Sequence, residues 1–290
     1  MAEKVLLDTD IGYDIDDAVC LAYLLAQPQC DLIGITTVTG EADRRASIAS
    51  AFCRAAGKDI PIYPGAEEPL IIPQMQPVAP QAQALAGLPH RVDFPRGEAI
   101  EFMRQTIRHY PGQVNLLAIG PLTNVALLFC VDPEIPALLK SLVLMCGAFL
   151  PDEPMAEWNA RVDPHAAAIV YRAAVPIHRS IGLDVTTRVT LPQKVVRSNF
   201  QRGLLRMALH FAEVYFEHRE HIVFHDPLAA ATIFDDTICT FERGTVKVDT
   251  DLNLLRGRTD WDADRFGPHE VAIDVQPKAF FEHYFNVFKS

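Results

Sequence analysis

Short apolar runs alternate with amphipathic stretches along this chain, and no other feature restricts its possible folds as much. Val5-Leu6-Leu7, Leu32-Ile33-Gly34-Ile35, Ile60-Pro61-Ile62-Tyr63, Asn115-Leu116-Leu117-Ala118-Ile119, Ser141-Leu142-Val143-Leu144-Met145 and Ile177-His178-Arg179-Ser180-Ile181 read as buried strands. Residues 18–26, 42–56, 98–110, 124–129 and 164–173 carry helical patterns, and each can be the crossover between two parallel strands. The expectation is an α/β protein: a single Rossmann-like domain over residues 1–290, with a mainly parallel central sheet flanked by helices.

Two segments break the rhythm. Residues 66–95 hold six prolines and no clear periodicity, and loops of that length in compact domains tend to be lids or binding loops, so this is a candidate active-site loop. After Gln201 a long helical pattern runs to about residue 220 and leads into Phe224-His225-Asp226-Pro227 and a further helix. From Thr237 the tail reads as strands closed by a terminal helix.

Charge narrows the choice of partner. There are 26 basic and 37 acidic residues, and a net charge of −11 repels both nucleic acid and an anionic membrane surface. No apolar run approaches membrane-spanning length, and Met1-Ala2-Glu3-Lys4 leads straight into a strand without the apolar stretch of a secretory signal. Cys20, Cys30, Cys53, Cys130, Cys146 and Cys239 are scattered, form no CxxC pair and mostly sit in apolar runs. They read as reduced thiols packed as small hydrophobes, so neither disulfides nor a zinc site is expected and a cytoplasmic location fits.

In an open parallel sheet, ligands gather outside the carboxyl ends of the strands. The first strand ends in Asp8-Thr9-Asp10, the second in Thr39-Gly40-Glu41, the fourth in Gly120-Pro121-Leu122-Thr123-Asn124 and the fifth in Met145-Cys146-Gly147. Asp8, Asp10, Asp14, Asp16 and Asp17 crowd around the first of these ends. Carboxylates so close raise one another's pKa unless a cation neutralises them, and oxygen-only donors select calcium or magnesium over zinc. Asp16 or Asp17 alone would be ordinary first-turn helix residues favoured by the macrodipole, but helix capping does not need five acids.

Leu7-Asp8-Thr9-Asp10-Ile11-Gly12-Tyr13-Asp14-Ile15-Asp16-Asp17-Ala18 resembles the N-terminal signature of the inosine–uridine nucleoside hydrolase family, in the longer form with two residues before the paired aspartates. Further segments resemble family blocks in the same order: Ala118-Ile119-Gly120-Pro121-Leu122-Thr123-Asn124, Val143-Leu144-Met145-Cys146-Gly147, Ala156-Glu157-Trp158-Asn159 with Asp163-Pro164, Gly182-Leu183-Asp184-Val185-Thr186, and His225-Asp226-Pro227. The resemblance implies calcium-dependent hydrolysis of the N-glycosidic bond of ribonucleosides to free base and ribose, as in purine and pyrimidine salvage.

It also implies a division of labour. Ca2+ would be held by Asp10, Asp17, Asp226 and the backbone carbonyl of Ile119, with Asp10 doubling as the general base for the attacking water. Asp16 would bind ribose hydroxyls, and Met145 would pack beneath the sugar. Glu157 and Asn159 would contact the 3′- and 5′-hydroxyls from one face of an extended segment. His225 would protonate the departing base, while Asp8 and Asp14 support the turn. The expected partners are a small-molecule nucleoside and further copies of the chain, as a homodimer or homotetramer.

Three departures from the family pattern stand out. Glu41 takes the place of an asparagine at the end of the second strand and is kept as a substrate contact that reshapes hydroxyl recognition. The loop over residues 148–155 is short and lacks a sugar-binding asparagine. The segment 66–95 replaces a histidine- and glycine-bearing loop, with His90 its one imidazole. His90, His218 and His221 read as solvated or backbone-satisfied, and Tyr215, Phe216 and Phe224 as core. Two competing readings are a ribose- or nucleoside-binding protein that has lost turnover and a magnesium-dependent phosphatase built on Asp-x-Asp. The second lacks the lysine it needs between Lys58 and Lys140.

Overall fold

The computed structural model describes residues 2–150, 155–251 and 254–289. Six strands run parallel: β1 (Glu3–Thr9), β2 (Cys30–Thr37), β3 (Ile62–Pro64), β4 (Val114–Ala118), β5 (Ser141–Met145) and β6 (His178–Ile181). β7 (Thr190–Pro192) and β8 (His221–Val223) pair as a separate antiparallel ribbon. β9 (Cys239–Val248), β10 (Thr259–Ala263) and β11 (His269–Val275) extend the main sheet, which reads β10-β9-β11-β6-β5-β4-β1-β2-β3. β11 lies parallel to β6 and antiparallel to β9, so the sheet is mainly parallel with an antiparallel edge. The ribbon escapes a reading by pattern because strands of three residues are too short to show a period.

The helices are α1 (Asp16–Ala26), α2 (Ala42–Ala55), α3 (Ala99–His109), α4 (Thr123–Val131), α5 (Ile135–Leu138), α6 (Trp158–Val162), α7 (Pro164–Tyr171), α8 (Leu183–Thr186), α9 (Gln193–Asn199), α10 (Gly203–Tyr215), α11 (His225–Ala231) and α12 (Pro277–Asn286). Strand alternation divides them between two faces. Val5 and Leu7 of β1, Leu117 of β4 and Val143 and Met145 of β5 join a core with α1, α2, α10, α11 and α12. Leu6, Leu116, Leu142 and Leu144 point the other way, into a core with α3, α4 and α7. α1 is buried from Asp16 to Leu25 because it lies between the sheet and α10 and α11. That all-round burial forces the two acids opening the helix into the interior as well.

Strand order places the site. The chain steps from β1 outward to β2 and β3, then returns to β4 on the other side of β1. Such a reversal leaves a crevice at the carboxyl ends of the two diverging strands. Asp8 pairs with Ala118 as the last register pair of β1 and β4, so Thr9-Asp10 and Ile119-Gly120 leave the sheet side by side.

The segment 66–95 runs back across these ends as a strap. Thr39 N donates to Ala66 O at 2.8 Å, Ala79 N to Glu41 Oε2 at 2.8 Å and Gln81 N to Gly12 O at 3.0 Å. A 3-10 turn over Pro80–Leu85 packs against α2 and α10. In the short loop over 148–155, residues 151–154 lie outside the described residues.

Candidate active site

Asp10, Asp16, Asp17 and Asp226 line one cavity of ≈ 540 Å³ that is open to solvent, together with Ile119, Met145, Glu157, Asn159 and His225. Each of these residues is expected in the site from the sequence; Glu41 is expected there too, but it is absent from the lining. Its carboxylate instead accepts from Ala79 N and from Arg44 Nη1 at 3.0 Å, and its backbone opens α2 in a left-handed conformation with φ 59°. Glu41 therefore anchors the strap, and its charge is turned to that task.

The acids are tightly grouped. Carboxylate oxygens of Asp16, Asp17 and Asp226 come within 4.8 Å of one another, all three buried. Asp16 and Asp17 sit there because α1 starts at Asp16, and Asp226 because α11 starts one residue before it. Burial, then the neighbouring acids, push the carboxyls of Asp16, Asp17 and Asp226 well above the usual range. Three buried carboxylates with this little compensation fit a divalent cation with oxygen ligands, which would remove both penalties.

Asp10 stands beside this group with a different set of partners. Burial raises its pKa, while the Arg45 guanidinium and the Gln76 amide hold it down. Gln76 Nε2 donates to Asp10 Oδ2 at 2.7 Å. Asp10 Oδ1 lies against Gly120, where a Cβ would come within 2.8 Å of it, so only glycine lets the chain leaving β4 pass this close to the acid. Arg45 is fully buried and bonds the carbonyls of Asp10, Ile11, Gly40 and Val78, joining the first strand end, the second and the strap.

Supporting contacts fix the remaining geometry. Thr9 Oγ1 donates to Asp17 Oδ1 and accepts from Ile11 N at 3.1 Å. Asp8 lies beneath the cavity, accepting from Thr36 Oγ1 at 2.5 Å and Asn124 Nδ2 at 2.8 Å, and burial pushes its carboxyl up to about 7. Asp14 is exposed at the rim.

Glu157 and Asn159 do reach the cavity, but the segment is not extended. Glu157 is the N-cap of α6, accepting from Gly147 N, Asn159 N and Ala160 N, and Asn159 belongs to the first turn. A side chain that can accept from free N–H groups starts a helix, and this local choice overrides the alternation that the spacing allows. Asn159 Nδ2 donates to Ile119 O and to Met145 O, each at 3.0 Å, which leaves its Oδ1 for a ligand. His225 Nδ1 pairs with Thr186 Oγ1 at 2.7 Å, and burial lowers the imidazole to about 4.

Five lining residues are not site residues in the sequence reading: Gln76, Tyr13, Trp158, Leu183 and Asp14, which is read there as support for the turn. Tyr13 and Trp158 are roughly half exposed on its wall. Both flank the aspartates and Glu157 in sequence, a proximity that could have marked them. Nothing in a proline-rich loop distinguishes Gln76 from Gln74 or Gln81. His90 bonds Leu88 O, His221 is exposed and Phe224 is fully buried, in keeping with structural roles.

This geometry has relatives. Residues 5–282 match the family model for inosine-uridine preferring nucleoside hydrolase. An inosine-uridine preferring nucleoside hydrolase of Crithidia fasciculata is 27% identical across 99% of this chain and 96% of its own length. The pyrimidine-specific ribonucleoside hydrolase RihA of Klebsiella pneumoniae is 30% identical over 89% of this chain and 88% of its own. Among solved structures, a plant nucleoside hydrolase superposes with a TM-score of 0.86 at 25% identity over 100% of both chains. A purine-preferring ribonucleoside hydrolase from Gardnerella vaginalis gives 0.82 at 26% identity over 98% of each. With a family match across nearly its whole length and the acidic cavity at the sheet's reversal point, this chain belongs to the inosine-uridine preferring nucleoside hydrolase family and is an enzyme that hydrolyses N-glycosidic bonds of ribonucleosides.

Proposed function

We propose that the chain is a calcium-dependent ribonucleoside hydrolase in which Asp10 is the general base. The observation that carries this reading is the buried group Asp16, Asp17 and Asp226 in one cavity with Asp10. Asp10, Asp17, Asp226 and the carbonyl of Ile119 are the ligands assigned to the ion, all hard oxygens. When bound, the ion would supply charge neutralisation, an anchor for vicinal ribose hydroxyls and acidification of a water.

The chain's own residues then divide the reaction. Asp10 takes a proton from the attacking water as its oxygen bonds to C1′ and the C1′–N bond breaks, releasing base and ribose. Negative charge from the cavity favours the oxocarbenium-like character developing on the sugar. Asp16 binds ribose hydroxyls, Met145 packs under the ring, and Asn159 offers Oδ1 to a hydroxyl while steadying the Ile119 carbonyl. Glu157, already committed to three N–H groups, keeps further lone pairs for a hydroxyl. Burial keeps His225 neutral near pH 7, and in the tautomer whose Nδ1 accepts from Thr186 Oγ1 it presents Nε2–H as a hydrogen-bond donor to the departing base, whose protonation then needs the imidazolium form.

The relatives named above differ in base preference, so the leaving group is best found by a panel. Incubation with inosine, uridine and a chromogenic riboside, with and without calcium, should release reducing sugar only when calcium is present. Binding of ribosides without sugar release at any calcium level would establish instead a protein that has kept the sugar contacts and lost turnover.

A further inference from the structure

Gln76 is the one side chain of the strap that reaches the reacting groups. It is 1% exposed although it sits in a proline-rich loop, between Pro73 and Pro77. Both ends of its amide are used inside the cavity. Nε2 donates to Asp10 Oδ2 at 2.7 Å, and Oε1 accepts from Trp158 Nε1 at 2.8 Å. These partners fix the amide's orientation, because an indole nitrogen only donates and an ionised carboxylate only accepts. Its backbone is pinned too: Gln76 N donates to Gln74 Oε1 at 2.7 Å, and Gln76 O accepts from Thr39 Oγ1 at 3.4 Å. Pro77 presses so closely on Gly40 that a Cβ there would come within 2.5 Å of its backbone. The amide is thus held at both ends by protein groups.

We infer that Gln76 is a positioning residue for the reaction: it occupies Oδ2 of Asp10, leaves Oδ1 for the cation and the attacking water, and ties that geometry to the Trp158 wall of the cavity. This rests on the assignment of Asp10 as base. A carboxylate free to rotate about its terminal torsion would divide its time between productive and unproductive orientations. One strong donor on Oδ2 removes that freedom. A glutamate at this position would keep the acceptor for Trp158 but set a like charge against Asp10.

The test uses the calcium-loaded enzyme, its steady-state kinetics on inosine and on a chromogenic riboside, and its melting temperature. Gln76→Ala should lower kcat about 10- to 100-fold on both substrates while KM changes little, as expected when an outer group orients a reacting one. Gln76→Glu, the same size, should be slower still. Trp158→Phe keeps the ring and loses the N–H; it should lower kcat modestly alone and add nothing in the Gln76→Ala background. In a Trp261→Phe background Trp158 is the remaining tryptophan, so its emission should shift on Gln76→Ala.

An unchanged kcat, a loss confined to KM, or multiplicative effects of Gln76→Ala and Trp158→Phe would each overturn the inference. Should Gln76→Ala fail to fold, Trp158→Phe and Gln76→Glu carry the same kinetic comparison. Asp10→Asn separates the two levels: near-wild-type turnover in that variant defeats the base assignment, whereas an inactive Asp10→Asn with a fully active Gln76→Ala defeats only the role of Gln76.

Discussion

Residues 8–17 and residues 66–95 meet at one cavity, yet they arrive by opposite routes. The first stretch is local: a strand end, one turn and one helix start set Asp10, Asp16 and Asp17 within reach of each other. The second has no regular structure beyond one short 3-10 turn and is placed by long-range hydrogen bonds, such as Gln76 to Asp10 across 66 positions and Gln81 Nε2 to the carbonyls of Tyr13 and Asp14. On the proposed assignments, one region supplies charge and the other supplies orientation. Arg45 joins them, with its guanidinium on carbonyls of both.

If that division is right, changes in the first stretch should abolish chemistry and changes around the strap should grade it. Asp10→Asn should lower kcat about 10²- to 10⁴-fold with the fold intact, measured by steady-state kinetics. Asp226→Asn should act on the cation: the calcium needed for half-maximal rate should rise by at least about tenfold, while the metal-free protein melts at a higher temperature because repulsion is relieved. A lower metal-free melting temperature would show that these acids are not in conflict.

A pH series reads the same conflict in the native sequence. The carboxyls of Asp16, Asp17 and Asp226 titrate well above their usual range, and that of Asp8 at about 7 against 3.8. As pH rises from about 4 to about 7, the unfolded chain gives up these protons before the folded one does, so metal-free stability should fall across that window. Added calcium should flatten the slope. Stability that climbs with pH in the metal-free protein would contradict the burial of uncompensated charge.

Strap changes away from Asp10 come next in size. Gln81→Ala strands two carbonyls and should lower stability by about 1–3 kcal/mol in denaturant titrations, with kcat nearly unchanged. Glu41→Gln should have the smallest effect of all, because its carboxylate accepts from Ala79 N and lies outside the cavity. A large change in KM on Glu41→Gln would return that residue to the substrate.

Most of the parallel sheet could be read from the sequence because β1, β2, β4 and β5 are continuous apolar runs whose neighbours have helical period. The acidic lining was legible for a related reason: it lies at strand ends and helix starts, where position follows from the elements themselves. Glu41 was misplaced because a carboxylate at a strand end looks the same whether it faces a ligand or caps a neighbouring segment. Spacing alone gives Asn159 an extended backbone, because it cannot reveal that Glu157 captures three N–H groups. Gln76 and Arg45 escaped because their roles depend on contacts between segments dozens of residues apart, and no local period encodes those.

Whether the buried acids hold a cation decides how the site works. Calorimetric titration of calcium into metal-free protein tests this most directly. It should show one binding event per chain, absent or greatly weakened in Asp17→Asn. No binding, or binding equally strong in Asp17→Asn, would contradict it.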